Sequence, residues 1–296
     1  MSRLFVTLQY LLPHHLLGRL IYALTRVRAP PVKNWLIRTF CRLFRPEMSD
    51  AVQSDPLRYA TFNAFFTRAL KPDARPLDPH PRRILSPCDG TLSVAGTLSE
   101  GRMLQAKGHW YTPAALLAAP LESAAPLESA ALHDGRYATL YLAPYNYHRL
   151  HMPLSGRLRA AWHVPGRVFS VSARTVARVP GLFARNERVV CVFDGEHGAF
   201  VLVLVGALFV GSMSTVWHGD ITPWRGPARR PSDPAGIHPL APSSGADLWR
   251  ARGAEFARFN MGSTIVMLMP AAMGAWDASL SPGERVAVGQ GLGTLT

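Results

Sequence analysis

Acidic residues are scarce in this chain of 296 residues: 19 Asp and Glu stand against 32 Lys and Arg, a formal charge of +13 with histidine neutral. That imbalance calls for an anionic counterpart, whether nucleic acid, an acidic membrane or an acidic substrate. The basic residues are mostly single arginines among apolar neighbours rather than the dense Lys/Arg runs of nucleic-acid arms, which favours a membrane surface. Cysteine is scarcer still. Cys41, Cys88 and Cys191 are odd in number and far apart, which excludes a complete disulfide framework and a paired zinc-ligand spacing and fits a reducing cytoplasmic setting. Also missing from the leucine-rich stretch Leu4 to Leu24 is an uninterrupted apolar run of the roughly 18 residues that a spanning helix needs. Pro13, His14, His15 and Arg19 interrupt it, and no small-x-small cleavage site follows before Arg26 and Arg28, so neither a transmembrane span nor a secretory signal is expected.

What is present is a hydrophobic content of 48%, enough for a sizeable core. Leu4, Leu8, Leu11, Leu12, Leu16 and Leu20 fall at helical spacing, with Arg3, Gln9 and Arg19 elsewhere. Two readings stay open: a helix lying in a membrane interface, or an ordinary amphipathic helix packed on a core. From Val32 to Leu70 the pattern is again helical, and its aromatics Trp35, Phe40, Phe44, Tyr59, Phe62, Phe65 and Phe66 are expected in the core. Pro72, Pro76, Pro79, Pro81 and Pro87 then mark a linker. Beyond it the texture becomes strand-like, as in Tyr137 to Leu142, Val189 to Phe193 and Phe200 to Val210. The expectation is an α+β chain: a helical, membrane-associating region 1–70, then a mainly antiparallel, β-rich catalytic domain 71–296. A hexapeptide repeated at 119–124 and 125–130 looks like a duplicated loop segment. Residues 221–245 read as a long surface loop.

Three clusters carry possible chemistry: Ser86 to Gly90, Tyr147 to Pro153 with His148 and His151, and Phe259 to Thr264 with Gly262 and Ser263. Each alone is ambiguous. Asp89-Gly90 after a proline is a common turn, and a small residue before an apolar run is ordinarily a bend. The histidines suit a metal pair, an acid and base, or a strand end; zinc needs a third ligand, and the nearest candidate, His163, has no familiar partner spacing. Together, Asp89, a histidine and Ser263 form the parts of an activated serine. The Gly-x-Ser-x-Gly nucleophile elbow is absent around Ser263, which argues against an α/β-hydrolase.

Phe65-Phe66-Thr67-Arg68, Leu70-Lys71-Pro72, Arg75-Pro76-Leu77, the Ser86 to Gly90 segment, Tyr141 to Pro144 with Tyr147 to Pro153, Leu182 to Val189, and Gly262-Ser263-Thr264 follow one another in order. In that order they resemble phosphatidylserine decarboxylases, over most of residues 60–296. Met261 stands where that family usually has leucine, keeping size and apolarity. Cys88 stands where a smaller or aliphatic residue is usual. The resemblance implies a proenzyme that cuts itself between Gly262 and Ser263 into a β chain 1–262 and an α chain 263–296. In the implied triad, His151 takes the Ser263 hydroxyl proton and Asp89 orients His151. The cofactor implied is pyruvate, a covalent pyruvoyl group made from Ser263, which forms a Schiff base with phosphatidylserine and releases CO2 to give phosphatidylethanolamine. His148 is implied as proton donor to the substrate's alpha carbon or controller of its carboxylate. No metal or diffusible cofactor is implied. The implied partners are phosphatidylserine in an anionic membrane and the chain's own two products as a heterodimer, with a homodimer of these as a further implied assembly; the implied place is the cytoplasmic side of the cell membrane, peripherally bound. Two other classes stay in view: a serine hydrolase of lipid or ester substrates with Ser263 intact, and a basic nucleic-acid-binding protein, which leaves Asp89, His151 and Ser263 without purpose.

Overall fold

Pro13 divides the N-terminal leucine-rich stretch into two helices, α1 (Ser2–Leu11) and α2 (His14–Thr25), because a proline ring interrupts the helical hydrogen-bond ladder. They belong to a computed structural model that describes residues 2–106, 108–118, 134–208, 212–221 and 237–296. The tandem repeat at 119–130 and residues 222–236 of the expected surface loop lie outside the described residues. Helix α3 (Pro30–Phe44) begins on prolines, whose fixed φ suits a first turn. Helix α4 (Phe62–Phe66) begins where the Thr61 hydroxyl accepts the Ala64 amide at 3.0 Å.

The first two helices are inside out. Gln9, His14 and Thr25 are 1%, 3% and 5% exposed, whereas Leu8, Leu11, Leu16 and Leu20 are 49%, 78%, 49% and 57% exposed. The polar side chains dock the helices: Gln9 Oε1 accepts from the Ser170 amide at 2.7 Å, and His14 Nδ1 from the Val168 amide at 3.3 Å. The helices pack on the β-rich region through Val6, Gln9 and His14 and leave Leu8, Leu11, Leu16 and Leu20 outward. In α3, Ile37 and Phe40 do enter a core with Phe62, Phe65 and Phe66. Trp35, Leu43 and Phe44 point outward, against the expectation of burial for the aromatics.

The rest is β-rich, and the pairings within its sheets are antiparallel. In the nine-stranded sheet the strands run side by side as Gly156–Val164, Arg188–Gly195, Gly198–Val205, Ser263–Met269, Arg136–Leu142 and Gly90–Thr97. Strand alternation explains the continuous apolar runs. Leu202, Leu204, Ile265 and Met267 face one core, and Val201, Val203, Val205, Val266 and Leu268 face another on the opposite side. A sheet covered on both faces reads as unbroken Val, Ile and Leu rather than as alternation with polar residues. The expected α+β class, helices first and antiparallel strands after, matches this arrangement. Leu202 is fully buried, and Leu202→Ala is expected to lower the unfolding free energy by about 2–5 kcal/mol, read from urea denaturation.

Candidate active site

The sheet brings the distant motifs to one end of three neighbouring strands. Ser263 opens its strand opposite Leu142, and Thr91, two residues after Asp89, pairs with Tyr141 on the same neighbour. Gly90 is required there, since a Cβ would lie 2.5 Å from the Tyr141 carbonyl oxygen. The chain leaving Leu142 turns into the segment carrying His148 and His151. Backbone bonds from Leu85 N to Pro153 O (3.1 Å) and from His151 N to Pro87 O (2.8 Å) tie that segment to the approach to Asp89.

Ser263 is fully buried, and its Oγ has no hydrogen-bond partner among the described residues. Beside it, a Cβ on Gly262 would meet only the Leu142 carbonyl oxygen at 3.7 Å and His148 Cε1 at 3.9 Å. His148 is fully buried and stacked on Phe66, with ring centroids 4.1 Å apart. Its Nε2 lies 3.3 Å from the Pro144 carbonyl and donates to it, which leaves Nδ1 bare, buried and without a partner among the described residues. Burial, then the charge of Arg68, lowers its pKa to about 3.

His151 is held differently. Its Nδ1 is 2.7 Å from the Gly253 carbonyl and donates to it, so Nε2 is the acceptor, taking the Tyr147 hydroxyl proton at 3.0 Å. Gly253 sits at φ +82°, a left-handed backbone suited to glycine, and so aims that carbonyl at the ring. A register shift in the adjacent strand sets Glu255 opposite His151. Burial lowers the His151 pKa, against the opposing pull of the Gly253 carbonyl and of Glu255.

Asp89 does not touch His151. Its carboxylate is gripped by Arg75, Nε to Oδ1 at 2.9 Å and Nη2 to Oδ2 at 2.6 Å, and it also accepts the Val288 amide at 2.9 Å. Arg75 holds Asp50 as well, at 2.8 Å. The implied Asp–His hydrogen bond is thus replaced by Gly253 on the histidine and Arg75 on the aspartate. Cys88 packs in the core beside Asp89, its thiol pKa pushed up by burial. His163, the third ligand that a zinc reading needed, lies on another strand with Nε2 2.9 Å from Glu187 Oε1.

The segment before the Gly262–Ser263 peptide is clamped from the helical side. Asn63 Nδ2 on α4 donates to the Asn260 side-chain oxygen at 3.2 Å. Asn260 Nδ2 lies within reach of Ser212 Oγ (2.7 Å), Ser214 Oγ (2.9 Å) and Asp220 Oδ1 (2.9 Å). Asp220 Oδ2 in turn accepts from Tyr22 and Arg26 of the α2 region, at 2.9 and 3.0 Å.

A family model described as phosphatidylserine decarboxylase matches residues 62–294, and a second, described as PSD, matches residues 4–45. The chain belongs to the phosphatidylserine decarboxylase family. Its relatives include the phosphatidylserine decarboxylase proenzyme of Stutzerimonas stutzeri, 47% identical over 99% of this chain and 94% of the relative. Proenzymes of the same description from Bordetella pertussis (49% identical, over 90% of this chain and 86% of the relative) and Azotobacter vinelandii (46%, over 99% and 98%) are similar throughout. A covalent group made from the serine would need a hydroxyl not committed to a structural bond, and the unpartnered Ser263 Oγ fits that need.

Tyr147, Arg75, Gly253 and Arg68 are site neighbours that sequence reasoning did not single out as such. The first, second and fourth lie within motifs that carry the family resemblance, whereas Gly253 carries no local signal. For His148, the unfolded imidazole titrates near 6.5 and the folded one near 3. The unfolded state therefore binds the extra proton in between, and stability falls as pH drops from about 6.5 towards 3. His148→Asn is expected to flatten this loss by up to about 1.4 kcal/mol per pH unit, measured as urea-unfolding free energies between pH 7 and 4.5.

Proposed function

We propose that this protein is a phosphatidylserine decarboxylase that makes its own pyruvoyl group at Ser263 and works on an anionic membrane leaflet. The observation that supports it is the buried, uncommitted Ser263 Oγ directly after Gly262, a residue with no side chain. In this reading His151 Nε2 exchanges the Tyr147 hydroxyl for that of Ser263 and takes its proton, while Gly253 keeps the tautomer fixed. Asp89 acts without contact: held by Arg75, its charge favours the protonated form of His151. The freed alkoxide attacks the Gly262 carbonyl and an ester replaces the amide. Removal of the Ser263 alpha proton then expels Gly262 as a carboxylate and leaves dehydroalanine, which hydrolyses with loss of ammonia. Residues 1–262 and 263–296 become separate chains of one heterodimer. The pyruvoyl group supplies an electron sink conjugated to the substrate amine. His148, stacked and desolvated, is the proton carrier to the alpha carbon after CO2 leaves.

A second reading has an observation of its own: His148 Cε1, not His151, is the ring atom near Gly262, so His148 would be the cleavage base. Intact masses under denaturing conditions separate the two. Wild type is expected as two chains with a pyruvoyl-blocked 263–296, and Ser263→Ala and His151→Ala as single chains. His148→Ala is expected to cleave but lose at least about 100-fold in decarboxylation. Exchanged behaviour of the two histidine variants would establish the second reading, and an uncut wild type would send the function to an intact-serine hydrolase.

The membrane half rests on the outward leucines of α1 and α2, with Trp35 and Leu43 of α3, on a chain of charge +13. No helix of the described residues is long and apolar enough to cross a membrane. Co-sedimentation with phosphatidylserine vesicles at low salt is expected for wild type, and a Leu11→Glu, Leu20→Glu double variant is expected to bind at least about tenfold more weakly. Wild type left in the supernatant would rule out peripheral attachment.

A further inference from the structure

Two arginines among the described residues are almost completely buried and differ in one respect. Arg188, fully buried, donates to the carbonyls of Leu116, Ala115, Ala184 and Asn186, so each of its three nitrogens has an acceptor. Arg68 is 3% exposed, and only its Nη2 is used, on the Tyr145 carbonyl at 3.2 Å. Its Nε and Nη1 are buried without an acceptor among the described residues. Asp89, close enough for its charge to be felt at Arg68, is bound to Arg75 instead. A guanidinium keeps its charge in a protein, and a buried one with unmet N–H groups costs several kcal/mol. Such a cost is sustained where an anion completes the set, since a guanidinium's N–H groups make strong charge-assisted bonds to anionic oxygens.

Arg68 also stands at the site. It follows the α4 residue Phe66 that stacks on His148, it holds the loop leading into His148 by the Tyr145 carbonyl, and its charge acts on His148. We propose that Arg68 is the receptor for the phosphodiester of the lipid head group; this rests on the decarboxylase reading. The substrate carboxylate is the poorer match, because it loses its charge as CO2 departs, and a cation paired with it would stabilise the ground state more than the transition state. The phosphodiester keeps its charge throughout, so the contact is uniform binding and belongs in KM.

Arg68→Gln and Arg68→Lys test this. Intact mass first records whether each variant forms its two chains and pyruvoyl group; a wild type that fails to do so overturns the decarboxylase reading, separately from this one. In cleaved Arg68→Gln, KM for a short-chain, soluble phosphatidylserine is expected to rise at least about tenfold, whatever kcat does through the Arg68 contacts with the His148 loop. Glycerophosphoethanolamine has the phosphodiester and no carboxylate. Its inhibition constant should rise by the same factor, that of ethanolamine should not move, and Arg68→Lys should recover part of the loss. Unchanged inhibition by glycerophosphoethanolamine overturns the assignment, whether or not kcat falls. Should Arg68→Gln stay uncut, the decision passes to phenylglyoxal labelling of cleaved wild type, located by peptide mass. Protection of Arg68 by glycerophosphoethanolamine but not by ethanolamine supports the receptor, and equal or absent labelling with both overturns it.

Discussion

The ladder between Arg136–Leu142 and Ser263–Met269 fixes the position of everything reactive in this molecule. Its register sets Ser263 against Leu142, and the chain beyond Leu142 carries both histidines into place within a few residues. The same strand pairs on its other side with Gly198–Val205, so Ser263 lies at the end of an interior strand packed on both faces. Hydrogen bonds on two sides hold this strand from Thr264 onward, apolar side chains pack above and below it, and the pairing with Leu142 holds Ser263 itself. That rigidity is what lets a serine hydroxyl remain buried without a partner, at a cost of about 1–3 kcal/mol that the rest of the sheet offsets.

Around this frame, polar groups are used in two ways. Some are satisfied and rigid, such as Arg75 on Asp89 and Asp50, or Arg188 on its carbonyls. Others are left incomplete, some far from the site, such as Trp217 Nε1 and Trp276 Nε1, and some where chemistry is proposed: Ser263 Oγ, His148 Nδ1 and two nitrogens of Arg68. The N-terminal helices repeat the theme on a larger scale. They hydrogen-bond inward through Gln9 and His14 and turn Leu8, Leu11, Leu16 and Leu20 outward, the surface on which the proposed membrane contact rests.

Much of this was legible in the sequence. The α+β class followed from a change in texture after the proline-rich stretch, because helical spacing and short apolar runs obey different periods. Asp89, His148, His151 and Ser263 were found because their motifs are contiguous, and the strands do bring them to one end of the sheet. What could not be read was who holds whom. The Gly253 carbonyl that fixes the His151 tautomer depends on a φ of +82° in an otherwise unremarked turn, and the Arg75 grip on Asp89 depends on a bend in the linker. The aromatics of α3 misled for a simpler reason. Helical spacing identifies a common face but not whether that face looks inward, so Trp35 and Phe44 read the same as Phe40.

The interior place of the Ser263 strand changes the order of the folding reaction. In the uncut chain, strand insertion is an intramolecular event whose rate is independent of concentration. Were the peptide at Gly262 broken as proposed, the 34-residue piece that starts at Ser263 could leave only by opening the sheet on both sides, and could return only by bimolecular encounter. Its other anchors, Gly291–Leu295 against Arg83–Leu85 and Asp277 on Arg83, would have to reform in the same encounter. A molecule so cut would be protected by the slowness of its own dissociation rather than by an equilibrium it can revisit, and a copy that lost its short chain would be spent.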